Sequence, residues 1–235
     1  MNRRGSSNGA EVSRRLQVVV QCAIDARNTT GESPLWSARD AVLYRVDIPD
    51  GVIHYWQPET GQRRLWRLPA AVGSIGLRES GGLVVAMRSG FHLFDLSPDG
   101  RTMYHSDSRG GAIFRHAYDP QTGAIGRREL FVQMHPEWGR PDGGATDEEG
   151  CYWSCGVSAG RINRFSPDGE LVEFVQMPIE HPTMPCFGGP AGRTMYVTSH
   201  RENYSAEELA RTPQAGGVFM LEPGVAGAPA AFYQG

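Results

Sequence analysis

The stretch Gly90–Asp107, GFHLFDLSPDGRTMYHSD, joins the returning strand of one hairpin directly to the turn and first strand of the next. GFHLFDL reads as a strand, SPDG as a turn and TMYHSD as a second strand. Polar turns of this kind recur at SARD (37–40), ESGG (79–82), SPDG (97–100), DEEG (147–150) and GPAG (189–192), each followed by a strand and its return. Their last residues are spaced by 42, 18, 50 and 42 positions. Intervals of about 40–50 residues match a four-stranded propeller blade. The interval of 18 holds one hairpin and nothing more. After GVIHYW (51–56) the chain continues through RRLWRLP (63–69) and AVGSIGLR (71–78) before its next turn, and after GFHLFDL both counterparts are absent. The spacing predicts an all-β propeller with about five recognisable blade units, lacking half a blade or more at Leu96–Ser97.

The bulk properties agree. The chain has 235 residues, 40% of them hydrophobic, with 30 glycines and 16 prolines. That composition suits many short turns and one sizeable core. A formal charge of −3 gives no electrostatic case for nucleic acid or an anionic membrane. The four cysteines, Cys22, Cys151, Cys155 and Cys186, form no paired CxxC and no disulfide framework, and read as small buried residues of strands. The N-terminal apolar run is shorter than the roughly 7–15 residues of a secretory leader, and no segment is long enough to span a membrane, so a cytoplasmic protein is expected. One short helix is predicted, SAEELARTP at Ser205–Pro213, with Ser as cap and Glu three residues on.

Five segments together resemble the SMP-30/gluconolactonase/regucalcin family: GESPLW (31–36), DIPDGVIHYW (47–56), SPDGRTMYHSDS (97–108), GRPDGGATDEEGCYW (139–153) and HPTMPCFGGPAGRTMYVTS (181–199). The similarity runs from about Asn28 to the C-terminus, leaving residues 1–27 as an extension and 28–235 as the propeller. The resemblance implies a six-bladed fold, one divalent cation (Ca, Zn, Mn or Mg) in the central channel, and hydrolysis of a sugar lactone to its aldonic acid. It also implies that the segment absent at Leu96–Ser97 carries an R-x-N-D-G-type motif that contacts substrate and a P-N-G-type motif whose Asn ligates the metal. Neither motif occurs in this chain.

Two carboxylates match the family's metal ligands: Glu32, expected just before a strand, and Asp142, expected in a Gly-rich loop. Hard divalent cations take oxygen ligands, and two carboxylates balance a dication. By resemblance Asp142 is also the catalytic base, taking a proton from the attacking water. Read without the family pattern, both are ordinary turn carboxylates. Asp107 is a further oxygen donor near a strand end, with capping of its own turn as the simpler reading. His54, His105 and His200 show no metal-ligand spacing and read as packing or surface residues. The Gly-Gly pairs at 110–111 and 143–144 read as hairpin turns, and no GxSxG elbow supports a serine hydrolase. The alternative to a lactonase is a non-catalytic calcium-binding or interaction propeller. A degraded product that folds poorly is a third reading.

Overall fold

The computed structural model describes residues 13–79, 82–87, 95–96, 101–119, 121–122 and 124–229. It is built almost wholly from antiparallel strands. The N-terminal strands β1 (Arg14–Arg15) and β2 (Gln21–Ile24) join sheets formed much later in the chain. The first sheet is β3 (Gly31–Ser37), β4 (Val42–Asp47), β5 (Val52–Trp56) and β6 (Arg63–Arg67). Next comes a pair only, β7 (Val72–Leu77) with β8 (Leu83–Met87). The third sheet contains β9 (Asp95–Leu96), β10 (Thr102–Asp107), β11 (Ala112–Ala117) and β12 (Glu129–Gln133). The fourth has β13 (Arg140–Thr146), β14 (Tyr152–Val157), β15 (Arg161–Phe165) and β16 (Leu171–Gln176), with β1 added in parallel. The last is β17 (Pro182–Gly188), β18 (Thr194–Ser199) and β19 (Val218–Leu221), completed by β2.

These sheets form a propeller. The innermost strands pack in series: β7 on β3, β3 on β17, β17 on β13, and β13 on β9 and β10. Among the described residues, packing of similar extent does not join β7–β8 to β9–β12. The stretch between these two sheets is the one in which the 18-residue interval falls. The end of GFHLFDL, Asp95–Leu96, has become the first strand of the third sheet, pairing with Tyr104 and Met103. Residues 90–94 and the SPDG turn lie outside the described residues.

The two ends of the chain are tied together because β2 pairs with β19, Phe219 opposite Cys22. The segment read as an extension, 1–27, thus contributes two strands, and its residues 1–12 lie outside the described residues. Between sheets the core is continuous. Leu43 and Trp56 meet Ile24, Tyr196 and Val218, with Trp36 stacked on Tyr196 at 5.6 Å. Both faces of β14 are covered by neighbours, so it is buried at all six positions and shows no period-two pattern. Leu43, Val46 and Tyr196 are buried as expected, and Leu83 and Val85 are only partly so in the isolated pair. All four cysteines are free, with Cys151 and Cys155 buried. The short helix α1 (Ala206–Arg211) carries the expected capping box: Ser205 Oγ accepts from Glu208 N–H at 3.2 Å, and Glu208 Oε2 accepts from Ser205 N–H at 2.7 Å. No helix among the described residues is long and apolar enough to cross a membrane.

Candidate functional site

Three innermost strands, GESPLWS, RPDGGAT and PTMPCFG, each carry Pro or Gly in mid-strand. Such residues interrupt a ladder. Each strand accordingly has a register shift, between Glu32 and Leu35 in β3, Pro141 and Gly144 in β13, and Pro182 and Pro185 in β17. A bulge inserts one residue and re-aims the side chains beside it. Glu32 and Asp142 are therefore placed by strand bulges. The expected positions of Glu32 before a strand and of Asp142 in a loop are corrected, as is the reading of Gly143–Gly144 as a hairpin turn. The ladder continues through them because the bulge absorbs the extra residue.

The strand segments that carry Glu32 and Asp142 both pack on one feature, the Thr183–Met184 bulge of β17. On one side, Thr183 Oγ1 donates to Gly31 O at 2.6 Å, next to Glu32. On the other, Met184 lies against Gly143, next to Asp142, so closely that a Cβ on Gly143 would meet Met184 Cγ at 2.5 Å. Glu32 is buried, and its Oε2 accepts from the Ser33 N–H at 3.1 Å. Ser33 itself is held at φ 47, a left-handed conformation uncommon for a residue with a side chain. Its hydroxyl accepts from Ile75 N–H at 3.2 Å and lies 3.4 Å from Ser74 Oγ, fastening β3 to β7.

Burial pushes the Asp142 carboxyl up to about 7, against the pull of the Arg140 guanidinium and the Gly143 N–H. A desolvated carboxylate of this kind gains from a nearby cation. The donors are hard oxygens, so they suit a divalent ion in kind. Among the described residues, no group of three His, Cys, Asp or Glu side chains is arranged to hold one. Glu32 and Asp142 each offer oxygens of the kind a hard dication takes.

The remaining candidates lie elsewhere. Asp107 accepts from the Gly110 N–H at 2.8 Å, the turn-capping reading. His54 Nε2 is 3.2 Å from Asn28 Nδ2. His105 packs against Phe114 and His116. His200 stacks on His181 with ring centroids 4.6 Å apart and planes within 4°. Sequence reasoning missed Thr183 and Arg140, and it missed Asp47. This buried carboxylate accepts from Thr29 N–H, Thr30 N–H and Asn28 Nδ2 at 2.9–3.0 Å, and so fixes the turn that leads into Glu32. The mid-strand prolines and glycines were the available signal for the bulges. Asp47 and Arg140 had none.

The chain matches the family model described as SMP-30/Gluconolactonase/LRE-like region over residues 30–97 and 94–201, two pieces that meet at the junction in GFHLFDLSPDG. It is 32% identical to 6-deoxy-6-sulfogluconolactonase of Pseudomonas putida, covering 94% of this chain and 100% of the relative. That alignment runs over 292 residues, more than the 235 of this chain, so the excess falls in gaps on this side. Regucalcin of Xenopus laevis is 26% identical over 92% of this chain and 98% of its own length. Among solved structures, a calcium-binding regucalcin from Agrobacterium tumefaciens superposes with a TM-score of 0.85 at 18% identity, covering 95% of this chain and 99% of that one.

Proposed function

The chain belongs to the SMP-30/gluconolactonase/LRE-like family, and from that premise we propose that it hydrolyses a sugar lactone with the aid of one divalent cation, at a rate lowered by the segment absent at Leu96–Ser97. The observation that carries this reading is the pair Glu32 and Asp142 on two bulged strands around the Thr183–Met184 bulge. These two side chains would hold the cation, whether Ca, Zn, Mn or Mg. A cation bound there supplies positive charge to draw electron density from the lactone carbonyl.

Asp142 acts as general base. Its burial raises its proton affinity toward neutral pH, the direction a base needs. It takes a proton from water as the water oxygen bonds to the carbonyl carbon. The adduct collapses with cleavage of the ring acyl C–O bond, and the proton returns from Asp142 to the departing alkoxide. One water is consumed and a hydroxy acid is released. Glu32 holds its place through the Ser33 N–H and keeps the channel wall acidic. Asp142→Asn should lower the rate at least about 100-fold, the lower end for removing a general base. Its stability in urea should stay equal or rise, since a desolvated charge is gone. A variant of unchanged rate would remove Asp142 from the chemistry.

A second reading, a propeller that binds a cation without turnover, is favoured by the break in the family match at residues 94–97 and by the unfinished β7–β8 pair. It predicts cation binding that weakens in Glu32→Gln, with no hydrolysis above the spontaneous rate.

A further inference from the structure

A cavity of about 310 Å³ opens in the seam between the first and last sheets, away from the bulges that carry Glu32 and Asp142. Ile24–Ala26 at the end of β2 form one wall, and Arg45, His54, Trp56 and Arg63 of β4–β6 the other. The register puts these side chains on one face. Leu43 is opposite Trp56 and Trp56 opposite Arg63, and one pleat along, Arg45 is opposite His54. Leu43 and Trp56 pack on Ile24 across the seam, so Arg45, His54 and Arg63 share the seam-facing surface.

The charge there is unbalanced. Arg45 is only 4% exposed, and its Nε has no hydrogen-bond partner. Asp47, two residues along on the same face, opposes this charge, and its oxygens are engaged by Asn28, Thr29 and Thr30. Asp25, on the cavity edge, is paired with Arg27 at 3.1 Å. Burial and the neighbouring Arg63 push the Arg45 guanidinium down to about 10, with Asp47 pulling the other way. His54 receives the Asn28 amide on Nε2, which leaves Nδ1–H as a further donor. Arg64 also borders the cavity, its guanidinium resting 5.4 Å from the Tyr55 ring centre. Buried guanidinium groups are usually paired, and a planar fork of donors suits an oxyanion.

We infer that this cavity binds a small tetrahedral oxyanion of the phosphate or sulfate class, held by Arg45 and Arg63. Bound there, the anion neutralises the buried charge and ties the closing strand β2 to the outer edge of the first sheet. The site is separate from the lactone chemistry and does not depend on it.

The test is thermal unfolding and calorimetric titration of the full chain with inorganic phosphate, against chloride at matched ionic strength. A saturable rise in Tm with phosphate, absent with chloride, is expected. Arg45→Met should abolish that response in protein that still folds. Arg63→Gln should weaken phosphate binding about ten-fold or more, the value of one charge-assisted hydrogen bond. Should Arg45→Met fail to fold, Arg63→Gln on the exposed outer strand decides the matter. Equal phosphate response in wild type and Arg63→Gln, or no saturable response at all, would overturn the proposal.

Discussion

Asp142 and Asp147 are five residues apart, and their surroundings assign them opposite tasks. Asp147 is fully buried and saturated, accepting from Trp153 Nε1 at 2.8 Å, Arg164 Nε at 2.9 Å, and the Glu149 and Cys151 N–H groups at 3.0 Å. It holds the hairpin after β13. Asp142 has far fewer partners, and burial raises its proton affinity. The histidine pair gives a pH test at this scale. Burial and His181 push His200 down to about 4 from an ordinary 6.5, with Glu202 opposing and Arg140 adding to the fall. His181 is lowered as well, mainly by burial. The unfolded chain then takes up protons that the folded chain refuses. Stability that is complete above about pH 6.5 should be lost progressively as the pH falls toward 4. His200→Gln should flatten that slope in urea titrations run across the window. An unchanged slope would show that the stack does not govern acid sensitivity.

At the scale of the element, much was legible and the limits are specific. The capping box of α1 stood in the sequence because its partners are three residues apart. The turns SARD, DEEG and GPAG were legible for the same local reason. The bulges were not, because RPDGG carries turn residues that look alike in a loop and in a kinked strand. Only the ladder to β14 distinguishes the two. The roles of Thr183 and Asp47 depend on contacts 152 and 17–19 residues away, which no local pattern encodes. The packing of the β13 bulge on the β17 bulge is testable. A Cβ on Gly143 would meet Met184 Cγ and Cβ at 2.5 and 2.6 Å, so Gly143→Ala should cost about 1–3 kcal/mol in urea denaturation. Adding Met184→Gly, which removes both contacting atoms, should make the combined loss less than additive, and additive losses would show that the two bulges do not touch.

On the scale of the molecule, the 18-residue interval and the junction of the two family matches coincide. Among the described residues β7 and β8 form a two-stranded sheet, and β9 is the end of GFHLFDL, the first strand of the following sheet. The closure of β2 on β19 is intact at the other side of the ring. A propeller is a series of units that mainly contact their neighbours, so a loss at one point leaves the distant sheets and their bulges in place. Glu32 and Asp142 lie on β3 and β13, outside the stretch where the family match divides.

The direct measurement is lactone hydrolysis followed by acid release, with Ca²⁺, Mn²⁺, Zn²⁺ or EDTA, on a panel that includes gluconolactone. It compares this chain with a version that has the corresponding segment of the Pseudomonas putida lactonase inserted between Leu96 and Ser97. The account predicts cation-dependent turnover above the spontaneous rate, abolished by EDTA and by Asp142→Ala. Insertion of the segment should raise it more than about ten-fold, beyond the low end for losing even an outer-sphere partner of a metal. Folded protein that shows no turnover with any ion, or turnover indifferent to EDTA and to Asp142, would contradict it.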